Sequence, residues 1–125
     1  TISVSPDCNP ETIARAIQLN LSPLPDVFTP TEAFDAIRAG AQHLKLFPAE
    51  VASPQTVKAW RAVLPKHIQV HAVGGVTPSN MAEWLACGVS GFGIGSSLYK
   101  QGMSIEAVSE SAATLVKAWK VAKGR

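Results

Sequence analysis

The sequence predicts an α/β fold assembled from repeated strand–helix units around a parallel sheet, and three regularities predict it. Four dipeptides, Asn9-Pro10, Thr29-Pro30, Ser53-Pro54 and Thr77-Pro78, each join a good N-cap residue to a proline at the first helical position. There the absent N–H costs nothing and the fixed φ suits a helix. They recur at spacings of 20, 24 and 24 residues, and a fifth start, Ser104, follows 27 residues later. Each start is preceded by a short apolar or β-branched run and followed by apolar residues at helical spacing, the pattern of βαβ crossovers.

The first strand is expected over Ile2–Ser5, with a helix from Pro10. The second, Leu24–Phe28, is the least regular run, because Pro25 lacks the N–H that a central strand needs. Its helix begins at Thr29, where Glu32 three residues on completes a capping-box pattern, and Gly40 stands where a C-terminal cap releases the chain. The third strand is His43–Phe47, and Val57, Trp60, Val63 and Leu64 share a face of the helix after it. The fourth is Ile68–Val73, followed by a helix from Thr77 with Met81, Trp84 and Leu85 on one face and Gly88 as its stop. The fifth is Gly91–Ile94, and the last helix carries Ile105, Val108, Ala112, Leu115, Val116 and Trp119. Two architectures use such units. A (β/α)8 barrel needs eight of them in about 250 residues, whereas a flavodoxin-like five-stranded sheet fits the 125 residues present. Length alone leaves both open.

Composition excludes several function classes. Hydrophobic residues make up 46% and charged residues 16%, which excludes a disordered chain and requires a buried core. A net charge of +2 without a basic run argues against nucleic acid as a partner, and no apolar stretch approaches the ~20 residues of a membrane span. Cys8 and Cys87 stand alone, without CxxC or histidine spacing, and read as free thiols of a reducing, cytoplasmic compartment; no metal site is expected.

The candidate chemistry lies at the strand ends. Lys45 sits in an apolar strand, on the opposite face from Leu44 and Leu46 and on the same face as His43 and Phe47. A lysine there must be paired, reach an end of the strand, or lose its charge, and an uncharged lysine is the nucleophile of Schiff-base enzymes. The residues leave open a lysine that simply reaches solvent. Val73-Gly74-Gly75-Val76-Thr77-Pro78 and Gly93-Ile94-Gly95-Ser96-Ser97 are two glycine-rich turns on successive strands, suited to presenting backbone amides to a phosphate. Among the weaker candidates, His43, His67 and His71 lack metal spacing; His67 reads as a loop residue, and His71, on the strand face of Val73, either lines a pocket or, as the safer reading, is a satisfied core histidine. Trp60, Trp84 and Trp119 read as packing, and Glu50 as a loop carboxylate within reach of the strand ends.

The segments Leu44–Glu50, Ala72–Val76 and Gly93–Tyr99 closely resemble the 2-keto-3-deoxy-6-phosphogluconate/6-phosphogalactonate aldolases, in motif order and spacing over the whole chain. The resemblance implies a (β/α)8 barrel and a class I aldolase, without a cofactor, assembled as a homotrimer. It makes Lys45 the Schiff-base nucleophile, Pro6, Phe47 and Val73 substrate-binding residues, and Gly74, Gly75, Gly95, Ser96 and Ser97 the phosphate cradle. Val73 before the Gly-Gly pair, where gluconate-type members usually carry threonine, points to the 6-phosphogalactonate branch and to cleavage into pyruvate and glyceraldehyde 3-phosphate. The alternatives are the gluconate epimer, or a non-catalytic anion-binding module. Asp7 and Asp26 depart from the pattern, standing where the family is expected to carry Asn or Gly. The resemblance begins at what corresponds to the fourth barrel strand. Residues 1–125 are therefore expected to form the carboxyl-terminal five units of one barrel domain, with the family's general-base glutamate, a nearby arginine and a substrate-orienting hydroxyl lying in the first three.

Overall fold

Prolines and capping side chains start most of the helices, as the local chemistry dictates. The computed structural model describes residues 1–124, in the order β1 (Ile2–Val4), α1 (Pro10–Gln18), β2 (Ser22–Leu24), β3 (Asp26–Val27), α2 (Pro30–Arg38), β4 (His43–Leu46), α3 (Pro54–Arg61), β5 (Gln69–Val73), α4 (Met81–Ala86), β6 (Gly91–Gly93) and α5 (Ile105–Ala122). Asn9 Oδ1 accepts the N–H groups of Glu11 and Thr12, and Ser104 Oγ accepts that of Ala107. Thr29 and Glu32 close the expected capping box, with Thr29 Oγ1 accepting from Glu32 N–H and Glu32 Oε2 accepting from Thr29 N–H. Gly40 and Gly88 follow α2 and α4 with φ of 105° and 102°. The N–H of each, and of the residue after it, returns to the last turn, the Schellman arrangement. Asn20, at φ 56°, does the same after α1, a stop not foreseen in the sequence.

Every strand pairing is parallel, in two ladders, β1-β2 and β3-β4-β5-β6. The second strand is split in two by Pro25, the residue that made it irregular. Hydrogen bonds nevertheless bridge the split: Ser5 N–H donates to Leu24 O, Asp26 N–H to Asp7 O and Lys45 N–H to Pro25 O. Five strand positions therefore lie side by side in chain order. A flavodoxin-like sheet would place the first strand between the second and third. Here β2/β3 lies between β1 and β4, which is the order of a barrel wall.

The core lies between one face of this sheet and the helices. Leu44, Leu46, Val70 and Ala72 project into it and meet Ala33, Ala36, Val57, Trp60, Met81 and Trp84, all buried. The alternate residues His43, Lys45, His71 and Val73 occupy the other face. Two expectations about helix faces fail. Val63 is 58% exposed because α3 ends at Arg61, so helical spacing no longer orients it. In α5 only Leu115 is buried, while Ile105 and Val116 are 84% and 50% exposed. That helix follows β6, the outermost strand among the described residues, and packs mainly on α4, so half of its apolar face meets none of them.

Candidate active site

The inner face of the sheet is built by alternation, and its polar centre is Lys45. Leu44 and Leu46 take the core side of β4, so Lys45 projects to the opposite face, where it is only 9% exposed. Its ammonium does not run out to solvent. Nζ donates to the carbonyl of Ser5 at 3.2 Å, lies 3.3 Å from Asp26 Oδ2, and sits 4.9 Å from the centre of the Phe47 ring. Asp26 is the register partner of Lys45 across the β3–β4 ladder, so both side chains leave the sheet together on one face. Burial pushes the Asp26 carboxyl above the usual aspartate range, more than the contact with Lys45 pulls it down, and the nearby Glu32 and Asp7 carboxylates add to the rise.

Phe47 divides two recesses. On one side Pro6, Asp7, Asp26 and Phe28 line a cavity of about 370 Å³. On the other, Val73, the Gly74–Gly75 turn and the Gly95–Ser97 turn enclose a cleft of about 250 Å³. The structure thus brings the two glycine-rich turns together, with Phe47 between them and the Lys45 side. The backbone N–H groups of Gly75, Val76, Ser96 and Ser97 donate to no protein acceptor among the described residues and are free to meet an anion. Asn80 holds the first turn, its Nδ2 donating to Gly75 O at 2.9 Å and its Oδ1 accepting from Thr77 N–H at 3.0 Å.

One expectation about this cleft is corrected, and two side chains show how its wall is built. Thr77 does not cap the following helix: its N–H is taken by Asn80, which is itself the N-cap, and α4 starts at Met81. Ser97 offers its amide but not its hydroxyl, which donates to Val76 O at 2.8 Å and ties one turn to the other. Glu50 is part of the wall, its Cβ 2.6 Å from where a Cβ on Gly75 would stand, so a carboxylate faces the amides.

Deeper on the same face, His43 Nδ1 and His71 Nε2 lie 3.2 Å apart in a stacked pair. Burial lowers the His71 pKa, and His43 and Arg61 lower it further. Gly91 and Gly93, the register partners of His71 and Val73, leave the room these side chains use; a Cβ at Gly93 would stand 2.7 Å from Val73 Cγ2. His67 lies in an exposed turn, and Trp60 and Trp84 are core residues, as expected. Both cysteines are free, and no group of three or more potential metal ligands gathers among the described residues. Among these residues no helix is long and apolar enough to cross a membrane. Sequence reading missed the Asp26 contact and the role of Asn80. Asp26 stood out only as a departure from a family pattern, and an Asn before a helix signals a cap without naming the turn it holds.

The model of the family described as KDPG and KHG aldolase matches residues 1–113. The 2-dehydro-3-deoxy-6-phosphogalactonate aldolase of Escherichia coli (strain K12) is 48% identical over 119 residues, 95% of this chain and 58% of that protein. The probable 2-dehydro-3-deoxy-6-phosphogalactonate aldolase of Rhizobium meliloti (strain 1021) is 45% identical over 123 residues, 98% of this chain and again 58% of its own length. A solved structure described as native KDPGal superposes with a TM-score of 0.94 at 47% identity, covering 98% of this chain and 59% of its own. The chain thus spans under two thirds of the length of these relatives.

Proposed function

The chain belongs to the KDPG and KHG aldolase family, and on that premise we propose that it serves a class I aldolase cleaving 2-dehydro-3-deoxy-6-phosphogalactonate to pyruvate and glyceraldehyde 3-phosphate. The observation that carries this reading is the position of Lys45. It is a buried amine on the inner sheet face, with Phe47 beside it and the glycine-rich cleft beyond. In the proposed reaction the Lys45 amine attacks the C2 ketone and water leaves, forming an iminium. That cation draws electrons as the C3–C4 bond breaks, releasing the aldehyde and leaving the enamine of pyruvate. Reprotonation and hydrolysis then free pyruvate and the amine. The free amides of Gly75, Val76, Ser96 and Ser97 suit the substrate phosphate, with Gly74 and Gly95 shaping the two turns, and Pro6, Phe47 and Val73 form the walls. Val73, with no hydroxyl to offer the C4 oxygen, favours the galactonate over the gluconate epimer.

Free thiols and a near-neutral charge balance support a cytoplasmic location, and a homotrimer is the assembly we propose from the family resemblance. The test of the central reading is incubation with pyruvate and borohydride followed by intact-mass and peptide analysis. A reduced pyruvate adduct is expected on Lys45 and is expected to vanish in Lys45→Ala. An adduct that persists in that variant, or none in the unaltered protein, contradicts the assignment.

A further inference from the structure

We propose that Ser97 and Asn80 are positioning residues of the glycine-rich cleft: their hydrogen bonds keep the free amides of the two turns open to an anion and away from the Glu50 carboxylate. This deepens the reading of that cleft as the phosphate site and rests on it. The cleft holds two kinds of group that would satisfy each other. The N–H groups of Gly75, Val76, Ser96 and Ser97 donate to no protein acceptor among the described residues. Glu50 stands in the same wall, its Cβ 2.6 Å and its Oε2 3.1 Å from where a Cβ on Gly75 would lie. A carboxylate is a strong acceptor for backbone amides, so amides free to turn toward it would be taken by the protein rather than by a phosphate.

Two side chains prevent that turn. A trans peptide points its N–H and its C=O in opposite directions, so holding one aims the other. Asn80 Nδ2 donates to Gly75 O at 2.9 Å, which fixes the peptide plane that carries the Val76 N–H. The next plane is held at both ends: Ser97 Oγ donates to Val76 O at 2.8 Å, and Thr77 N–H donates to Asn80 Oδ1 at 3.0 Å. The second turn is closed by its own backbone, with Leu98 N–H and Tyr99 N–H donating to Gly95 O at 3.0 and 3.1 Å. That bond fixes the plane of the Ser96 N–H, and the Ser97 hydroxyl then sets the closed turn against the first. The Val76 side chain is buried, which anchors the middle of the first turn in the core. Its other end rests on the segment after Lys45. Ala49 N–H donates to Val73 O at 2.8 Å, and a Cβ on Gly74 would lie 3.6 Å from Phe47 Cδ2. The frame therefore also fixes where a bound phosphate stands relative to the lysine strand.

The test is calorimetric titration of the full chain with inorganic phosphate. Ser97→Ala deletes one hydroxyl and is expected to weaken binding about fivefold, as loss of a single hydrogen bond does. Ser97→Thr keeps the hydroxyl and is expected to bind like the unaltered protein. Asn80→Ala gives a second arm. The Asn80 side chain makes no capping bond to α4, so the change removes the turn contacts alone and is expected to weaken phosphate at least as much. A double-variant cycle separates this role from a general loosening of the fold. In Glu50→Ala no carboxylate competes for the amides, so adding Ser97→Ala is expected to weaken phosphate much less than it does in the unaltered background. Borohydride-trapped pyruvate adduct formation at Lys45 engages no phosphate and is expected to fall less than phosphate affinity in each variant. Unaltered phosphate binding in Ser97→Ala or Asn80→Ala overturns the frame and leaves the reading of the cleft standing. An equal Ser97→Ala penalty with and without Glu50, or a pyruvate adduct lost in parallel with phosphate, overturns it as well. No phosphate binding by the unaltered protein overturns both readings together.

Discussion

Val73 and Glu50 are the side chains that tune the cleft walls, and each makes a separate prediction. Val73 and threonine have nearly the same shape, so Val73→Thr changes one methyl into a hydroxyl with little change in packing. A new hydrogen bond to one configuration of the C4 oxygen is worth roughly 0.5–1.5 kcal/mol, or up to about tenfold in selectivity. The ratio of kcat/KM values for the two epimeric substrates is expected to move toward the gluconate form, and an unchanged ratio removes Val73 from selectivity. Glu50 places a negative charge against amides suited to an anion. Glu50→Gln is expected to tighten inorganic phosphate binding by about fivefold at low salt, since a charge a few ångströms away in a wet cleft contributes on the order of 1 kcal/mol. The gain is expected to shrink as ionic strength rises. Calorimetric titration at two salt concentrations reads both, and weaker binding in the variant would show that Glu50 shapes the turn instead.

At the scale of the element, the capping box of α2 couples stability to pH. Thr29 Oγ1 accepts the Glu32 N–H, and its replacement in Thr29→Ala is expected to cost about 1 kcal/mol by urea unfolding. The N–H groups of Phe28 and then Thr29 donate to the Glu32 carboxylate and hold its pKa below the usual glutamate value. A depressed carboxyl pKa stabilises the fold above the ordinary glutamate range, and that contribution is lost as pH falls through the folded value. Asp26, whose pKa is raised, acts in the opposite sense: its contribution is present at low pH and is lost as pH rises. Comparing Glu32→Gln with the unaltered protein therefore isolates the cap. The difference in melting temperature is expected to be largest near neutrality and to vanish in acid. A constant difference across that range contradicts the linkage. Another element-scale device, Arg61 of α3, ties the starts of β5 and β6 together. Its guanidinium donates to Gly88 O, Ile68 O and Ser90 Oγ. Nothing in the amphipathic pattern of that helix distinguished this arginine from a solvated one.

At the scale of the molecule, β1 and β6 are the outermost strands of the sheet among the described residues, and helices cover one of its faces. Ile2 and Val4 on the first strand are 67% and 62% exposed, and Ile105 at the start of α5 is 84% exposed. Open edges with apolar neighbours favour pairing between copies. A polypeptide consisting of residues 1–125 alone is expected to associate or aggregate on size-exclusion chromatography with light scattering, and to cleave the aldol substrate poorly. Such a polypeptide running as a stable monomer with ordinary aldolase turnover contradicts this view of the edges.

What the sequence determined by itself was the set of local decisions. Asn9, Thr29, Ser53 and Ser104 mark helix starts, and Gly40 and Gly88 mark helix ends, because capping is completed within one turn of the chain. Alternation alone set Lys45 against Leu44 and Leu46, and motif spacing singled out the two glycine-rich turns that the fold brings together. The strand order separating a barrel wall from a flavodoxin-like sheet was decided only by the tertiary structure, since both use the same βαβ unit. It also decided that Asn80 rather than Thr77 caps α4, that half of α5 is uncovered, and that Asp26 lies against Lys45. The reason is register: contact between residues 19 positions apart depends on how neighbouring strands slide and in which order they pair, and a slip of one residue would turn Asp26 to the opposite face.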